Sequence, residues 1–472
     1  MYRRINQKIR KELEEIVGRR NMIFESDMIL DYSHDEFSLP EIARDPEVVV
    51  KPCKVEEVAA ILCLANQKII PVTPRGGATG LCGGCVPSEG GIVVSLENMN
   101  RVLEIDENNQ MAVVEAGVRL MDFYKAVEEA GFFFPPHPGD ESAMIGGLIA
   151  TNAGGSRAVK YGVIRNYVKG LEVVLASGEI INLGGRIMKN STGYNLMNLI
   201  IGSEGTLGIV TKAVINLLPQ PPFIRSLIIP FDELEKAIES VPLMGKEKIL
   251  PMAVEFVPRE VIQITEKYLK KKWPSMEGQT YLLVILDASS EEEMDKLSET
   301  IAEICMDREA LDVYVADTQK KQEEILEIRS MIYEAIKDHT LEILDIVVPR
   351  AEIPLHVKKV YEVSRKFDIW LPTFGHAADG NVHTHIMKAR FENGEIHPVP
   401  EAEWREKIDY VRRELYKDCK KRGGVISGEH GIGLVKKPFL SFVLGEKQIE
   451  LMKGLKRVFD PRNILNPGKI FD

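Results

Sequence analysis

The stretch Arg75-Gly-Gly-Ala-Thr-Gly-Leu-Cys-Gly-Gly84 places five glycines in ten residues, directly after the β-branched run that ends at Thr73. Without side chains in the way, successive backbone N–H groups can converge on an anion, as a phosphate cradle requires. The stretch is neither a Walker A loop nor a G-x-G-x-x-G fingerprint, and neither occurs elsewhere in the chain. That argues against a P-loop nucleotidase and against a Rossmann dinucleotide site. Two more glycine loops follow, from Gly139 to Gly155 and from Gly202 to Gly208. One such loop would read as a tight turn. Three in one region suit an extended ligand that carries a pyrophosphate. Cys82 and Cys85 lie within this region, but no second cysteine pair completes a zinc or iron–sulfur site. Small residues beside a cofactor account for both.

The surroundings of these loops alternate short strands with helices. Val48 to Val50, Ile69 to Thr73, Gly91 to Leu96, Met111 to Glu115, Leu171 to Ala176 and Ile209 to Leu217 read as strands. Val55 to Asn66 and Arg119 to Ala130 read as helices. Ile5, Ile9, Leu13 and Ile16 give the N-terminus an amphipathic helical period. The rigid Pro219-Gln-Pro-Pro222 closes a first domain, 1–221. Beyond it, strands at Leu227 to Pro230, Met252 to Val257, Tyr281 to Asp287, Asp312 to Ala316, Asp345 to Val348 and Pro372 to His376 alternate with charged helices. Those helices are Glu291 to Cys305, Gln319 to Lys337 and Glu401 to Arg422. This predicts a second α+β domain, 222–422, with an antiparallel sheet covered by helices on one face. A C-terminal segment, 423–472, includes a helix near Lys447 to Phe459 and returns to the first domain.

The 472 residues exceed one ordinary core, and the composition (44% apolar, 28% charged) is globular. A formal charge of −11 without a basic block excludes nucleic acid and a membrane surface as expected partners. No apolar run is long enough to span a bilayer. Six scattered cysteines form no disulfide framework, so a cytoplasmic location is expected.

Four of the nine histidines fall in two short segments: Pro372-Thr-Phe-Gly-His376-Ala-Ala-Asp-Gly-Asn-Val-His383-Thr-His385 and Ile426-Ser-Gly-Glu429-His430-Gly-Ile-Gly433. Asp379-Gly380 reads as a two-residue hairpin turn. That register pairs Ala378 with Asn381, Ala377 with Val382 and His376 with His383, and sets His385 opposite Phe374. Facing imidazoles on one side of a sheet can hold one metal ion, and His385 lies on the same side. Glu429 is the natural third ligand, with His430 left as a base. Such a His₂Glu set suits Zn²⁺, Fe²⁺ or Mn²⁺.

Six motifs together carry a family resemblance: Arg75-Gly-Gly-Ala-Thr-Gly, Asn152-Ala-Gly-Gly, Gly202-Ser-Glu-Gly-Thr-Leu-Gly, Gly375-His-Ala-Ala-Asp-Gly-Asn-Val-His, Ser427-Gly-Glu-His-Gly-Ile-Gly and Asn466-Pro-Gly-Lys. From about Pro46 to Lys469 the chain resembles FAD-linked D-2-hydroxy acid dehydrogenases of the vanillyl-alcohol-oxidase superfamily. The D-lactate dehydrogenase and glycolate oxidase large-subunit branch looks nearest. The resemblance implies a two-part FAD domain with an α+β cap. Pro74, Arg75, Gly76, Gly77, Ala78, Thr79, Gly80 and Leu81 would hold the pyrophosphate. Pro138, Gly139, Asp140, Ser142, Gly146, Gly147, Ala150, Asn152, Gly155 and Tyr161 would hold more of the cofactor. Glu204, Gly205, Gly208, Ile209 and Asn466 would complete its site. Some relatives attach FAD to a histidine where this chain has Ala78, so non-covalent FAD is expected.

The same resemblance makes His376, His383 and Glu429 the ligands of one divalent metal and His430 the base. Arg329, on a cap helix, would bind the substrate carboxylate. His385 would stand where relatives have a polar residue that touches substrate. Dicarboxylate-specific relatives carry a lysine near position 343, and Ile343 here favours a short monocarboxylate such as D-lactate. The implied reaction is metal-assisted hydride transfer from C2 to flavin N5. Electrons would pass to an external acceptor: an electron-transfer flavoprotein, an iron–sulfur subunit or a quinone route. A homo-oligomer is compatible with the sequence. A glycolate oxidase-type subunit and a D-2-hydroxyglutarate dehydrogenase are the nearer alternatives; an alkylglycerone-phosphate synthase-like flavoprotein is the more distant one.

Overall fold

The computed structural model describes residues 2–37, 40–316, 318–392 and 394–471, and its chain divides into two compact units. Unit 1 comprises residues 1–154, 163–220 and 429–472; unit 2 comprises 155–162 and 221–428. No described helix is long and apolar enough to cross a membrane.

Among its described residues, unit 1 holds two larger sheets and a two-stranded one that pairs Phe132–Phe133 with Leu218–Pro219. Strands β1 (Met22–Ile23), β2 (Val48–Val50), β3 (Val72–Arg75) and β4 (Ile92–Ser95) form the first, in the order β1-β2-β4-β3. The β2–β4 and β4–β3 pairings are parallel. Parallel neighbours need a crossover, and helix α1 (Val55–Lys68) supplies the one from β2 to β3. The strand expected to begin at Ile69 begins at Val72 instead. Ile69 takes a left-handed conformation (φ 56°) and ends α1, while its N–H reaches Asn66 O. The N-terminal helix Gln7–Val17 buries Ile9 and Leu13 in this core, each stabilising it by about 1.5–3 kcal/mol. A second, antiparallel sheet contains β5 (Val102–Asp106), β6 (Met111–Glu115), β7 (Val168–Val174), β8 (Ile180–Gly184) and β9 (Ile209–Asn216), in the order β5-β6-β9-β7-β8. The C-terminal residues return to the first sheet: Val72 bridges Leu465, and Asn466 N–H donates to Val72 O at 2.7 Å.

Unit 2 is built on seven antiparallel strands: β10 (Phe223–Phe231), β11 (Ala253–Pro258), β12 (Thr280–Ala288), β13 (Tyr314–Val315), β14 (Thr340–Val347), β15 (Thr373–His376) and β16 (Asn381–Met387). Their order is β13-β10-β12-β11-β15-β16-β14. The expected α+β class and antiparallel second sheet are thus observed. The segment expected as one helix from Gln319 to Lys337 breaks at Met331, giving α2 (Gln319–Ser330) and a short helix Ile332–Ile336. The division between units near the C-terminus falls at 428 rather than 422. Gly424 to Gly428 stay with unit 2 because Val425 and Val347 exchange backbone bonds (2.9 and 3.0 Å) and Ser427 bridges Asp345. Residues 155–162 also belong to unit 2, where Lys160 Nζ and Tyr161 Oη meet Asp287 at 2.6 and 2.9 Å.

Candidate active site

The histidine hairpin differs in register from the sequence expectation. Its turn spans Ala377 to Gly380, so His376 pairs with Asn381 and Phe374 with His383. A two-residue turn would have paired Ala377 with Val382. Instead Ala377 N–H donates to Val254 O of β11 at 2.8 Å, and Asp379 Oδ1 accepts Asn381 N–H at 3.0 Å. The slip is two residues, so the side-chain face is unchanged. His376 and His383 become diagonal neighbours, and their Nε2 atoms lie 3.4 Å apart. Both side chains are buried. His385 pairs with Ile343 of β14 and stacks on Phe374, with ring centroids 4.8 Å apart.

Following the register across four strands puts Glu255, Phe374, His376, Asn381, His383, His385, Asp345 and Ile343 on one sheet face. Glu342 lies on the opposite face, where Arg412 of the helix Glu401–Lys421 donates to it at 2.6 Å. Arg329, near the end of α2, reaches the first face. Its guanidinium lies 5.4 Å from the Phe374 ring centroid, and its Nε donates to Glu255 Oε2 at 2.9 Å. Glu255 Oε1 takes the Nδ1 atom of His376. Burial drives the Glu255 carboxyl up, but His376 and then Arg329 outweigh it and hold it down at about 2.

Asp345 organises the other end of this face. It is fully buried; Oδ1 accepts Asn381 Nδ2 at 2.8 Å, while Oδ2 accepts Ser427 Oγ and Gly428 N–H at 2.9 Å each. Gly428 has no room for a side chain, since a Cβ there would stand 2.6 Å from Asn381 Oδ1. Glu429 and His430 follow this anchored backbone directly and open the last part of unit 1. Within unit 1 the Glu429 carboxylate lies against Gly154, where a Cβ would be 2.8 Å from Oε2.

Unit 1 gathers most of the predicted cofactor residues. Pro74 and Arg75 end β3, and Gly76 to Leu81 form the loop after it. The Arg75 guanidinium donates to Asp31 O and His34 O (2.7 and 2.6 Å), which fastens the N-terminal segment under the loop. Among the described residues, the N–H groups of 76 to 81 meet no backbone acceptor, which fits an anion cradle. Gly77 packs on the loop of Pro138, Gly139, Asp140 and Ser142, so closely that a Cβ would sit 3.1 Å from Ser142 O. Gly146, Gly147 and Ala150 lie on the helix Ile145–Thr151, which ends at Asn152 (φ 54°). Gly146 rests on Ala116, while the Cβ direction of Gly147 is open to at least 4 Å.

Ala150 O accepts Glu204 N–H at 2.8 Å. Glu204 in turn accepts Ile432 and Gly433 N–H at 2.7 and 2.8 Å, and burial raises its carboxyl pKa against those two bonds. Gly205 is left-handed (φ 69°), Gly208 abuts Val173, and Ile209 begins β9. Asn466 Nδ2 donates to Gly84 O and Glu204 O, leaving its buried Oδ1 without a protein partner. Gly155 and Tyr161 are the exceptions. They belong to unit 2, and the Tyr161 hydroxyl is engaged by Asp287. Cys82 and Cys85 are not joined in a disulfide; Cys82 Sγ donates to Gly431 O at 3.3 Å, and burial pushes the Cys85 thiol up to about 11.

The family described as "FAD linked oxidases, C-terminal domain" matches residues 220–470, and "FAD binding domain" matches 46–184. The chain belongs to the FAD-linked oxidases. A D-lactate dehydrogenase of Archaeoglobus fulgidus is 47% identical over 91% of this chain and 92% of its own. The glycolate oxidase subunit GlcD of Bacillus subtilis is 38% identical, over 99% and 97%. The solved p-cresol methylhydroxylase shares the fold at 18% identity, with a TM-score of 0.80 over 100% of this chain and 99% of that one. This confirms the vanillyl-alcohol-oxidase type of fold, and an FAD-dependent oxidoreductase follows from the two family matches.

Both groups that the family and its resemblance imply fit the residues present. For FAD, the fit is the loop whose N–H groups meet no backbone acceptor and the orphaned Asn466 Oδ1. For a metal, it is the pair of buried Nε2 atoms. Two nitrogens each about 2.05 Å from a tetrahedral ion stand about 3.35 Å apart, close to the 3.4 Å between His376 and His383. Three residues of this FAD-linked oxidase escaped the sequence reading: Glu255, Asp345 and Asp35. Asp35 accepts Gly83 N–H at 2.7 Å and so braces the first glycine loop. The available signal for Glu255 and Asp345 was a lone acid inside an apolar strand, since such a charge is buried only with partners.

Proposed function

We propose that this chain oxidises a short D-2-hydroxy acid, with D-lactate the best substrate, to the 2-oxo acid. The observation that carries the reading is the 3.4 Å approach of two buried imidazole Nε2 atoms on the face that Arg329 also reaches. Full-length relatedness to D-lactate dehydrogenase supports it. His376, His383 and Glu429 would hold one divalent metal. Pro74 to Leu81, the 138–152 loop and helix, the Glu204 loop and Asn466 would hold FAD, non-covalently because position 78 is alanine. When bound, FAD supplies the acceptor for two electrons and the ion polarises the substrate hydroxyl.

The chain's own residues do the rest. Arg329 binds and orients the carboxylate by its free N–H groups. His430 takes the hydroxyl proton as C2 gives up its hydrogen and electron pair. His385, fixed by Phe374, lines the substrate. Ile343, beside His385, offers no cation to a second carboxylate and so favours monocarboxylates. Electrons would leave to an external acceptor, an electron-transfer flavoprotein or an iron–sulfur subunit. Glycolate is the second reading, favoured by the relatedness to GlcD.

The test is anaerobic. Flavin bleaching is followed while D-lactate, L-lactate, glycolate and D-2-hydroxyglutarate are added, and metal content is measured on the same sample. Bleaching fastest with D-lactate is expected. His430→Ala should keep its flavin yet bleach about 10²- to 10⁴-fold more slowly. A metal-loaded, flavin-loaded protein that none of these acids reduces would remove the reading.

A further inference from the structure

Glu255 is a carboxylate buried to 1% exposure in the middle of a β-strand, and nothing in the motifs singled it out. Its two oxygens serve different partners. Oε1 faces His376 Nδ1 across the β11–β15 pair, and Oε2 takes Nε and Nη2 of Arg329. One side chain therefore touches both a proposed metal ligand and the proposed substrate-binding arginine. We propose that Glu255 is a positioning residue that couples the metal site to the substrate carboxylate site through these two contacts. This rests on the roles given above to His376 and Arg329.

The physical argument has two halves. An ionised carboxylate only accepts hydrogen bonds, and an imidazole that ligates a metal is neutral and carries one N–H. The proton of His376 is thereby held on Nδ1, and Nε2, the atom that faces His383, keeps its lone pair for a metal. Carboxylate partners of this kind orient the ring and raise its basicity as a ligand. On the other side, the Arg329 fork is planar and rigid, so fixing Nε and one Nη2 hydrogen also fixes where the remaining N–H groups point. Those groups are what a hydroxy acid carboxylate would find. Rotation of Glu255 about its last torsion cannot serve one partner without disturbing the other. Metal binding and carboxylate binding should then be linked, each strengthening the other by the same factor.

The experiment compares the wild-type holoprotein with Glu255→Gln, which keeps the side-chain volume but cannot accept from both partners at once. Each is stripped of metal with a chelator. Zn²⁺ and Mn²⁺ affinities are then measured by competition with a chromogenic chelator, with and without D-lactate. KM and kcat for D-lactate are measured at saturating metal. The expected result is a metal affinity lower by about 10- to 100-fold at unchanged flavin content. KM should also rise, kcat should change less, and the effect of D-lactate on metal affinity seen in the wild type should disappear. Wild-type metal affinity in Glu255→Gln overturns the proposal, as does a retained coupling between lactate and metal. A wild type that binds neither divalent metal nor hydroxy acid overturns the functional reading and this inference together. A wild type that binds both, beside an indistinguishable variant, overturns this inference alone.

Discussion

Asp345→Asn should loosen the backbone that carries Glu429 and His430 without disturbing the sheet around it. Asp345 accepts three hydrogen bonds from buried or half-buried donors: Asn381 Nδ2, Ser427 Oγ and Gly428 N–H. An amide in its place can accept on one side only, so on the other side a donor faces a donor. Hydrogen bonds to a charged group contribute about 1.5–3 kcal/mol each and neutral ones about 0.5–1.5, and a stranded donor costs about 1–3. Losing one bond and weakening two gives a local cost of at least about 3 kcal/mol. The two weakened bonds, at Ser427 and Gly428, put about 2–3 kcal/mol of this on 425–428; at about 1.4 kcal/mol per tenfold, amide protection there should fall by about 30- to 140-fold. Hydrogen exchange read by mass spectrometry on peptides covering that segment is the assay. A peptide from β10 or β12 serves as the internal control. Loss of the anchor should also slow flavin bleaching by D-lactate, because the proposed base follows the loosened backbone by two residues. Protection of 425–428 within about threefold of wild type would show that the carboxylate does not hold this segment, and the reasoning would fail.

Gly146→Ala would set a methyl group 2.8 Å from Ala116 Cβ and push the helix Ile145–Thr151 off its seat. An overpacking cost of about 1–3 kcal/mol is expected, read as weaker FAD retention on gel filtration; full retention with wild-type thermal stability would contradict it. Burial raises the Asp35 carboxyl to about 6, against the Phe37 and Gly83 N–H bonds and the Arg75 charge that lower it. The folded state then holds this proton more tightly than the unfolded state, so its contribution is least favourable above pH 6. Stability should therefore fall as pH rises from about 4 to 6, by up to about 3 kcal/mol. Subtracting the denaturation profile of Asp35→Asn isolates that slope, and two parallel profiles would refute it. Ile343→Lys places a cation next to His385 on the site face. The ratio of kcat/KM for D-2-hydroxyglutarate over D-lactate should rise at least about tenfold, in the range of one good charged hydrogen bond; an unchanged ratio in a folded, flavin-loaded variant would sink the specificity argument.

What the sequence shows of this fold follows from interactions that are local or periodic. The strand Met111–Glu115 and the helix Glu446–Phe459 were legible almost to the residue, because an apolar period is written in consecutive positions. The glycine loops were legible because only a missing Cβ tolerates approaches such as Gly205 on Pro74, where a Cβ would stand 2.5 Å from Cγ. The hairpin register was not. Asp379-Gly380 is a strong local turn signal, yet the longer turn wins because Ala377 N–H is claimed by Val254, a residue 123 positions earlier in the chain. No local rule contains that competitor. The error left the imidazoles on one face because a shift of two conserves strand parity, whereas a shift of one would have turned His383 away from His376. Glu255 and Asp345 were hidden for a related reason: their partners His376, Arg329, Asn381 and Gly428 come from distant segments, so burial makes sense of these charges only after the sheet is assembled. The acids that hold the histidines and the arginine in place are therefore the part of the site a motif cannot contain. Substitutions there should separate residues that merely resemble a site from residues arranged to work as one.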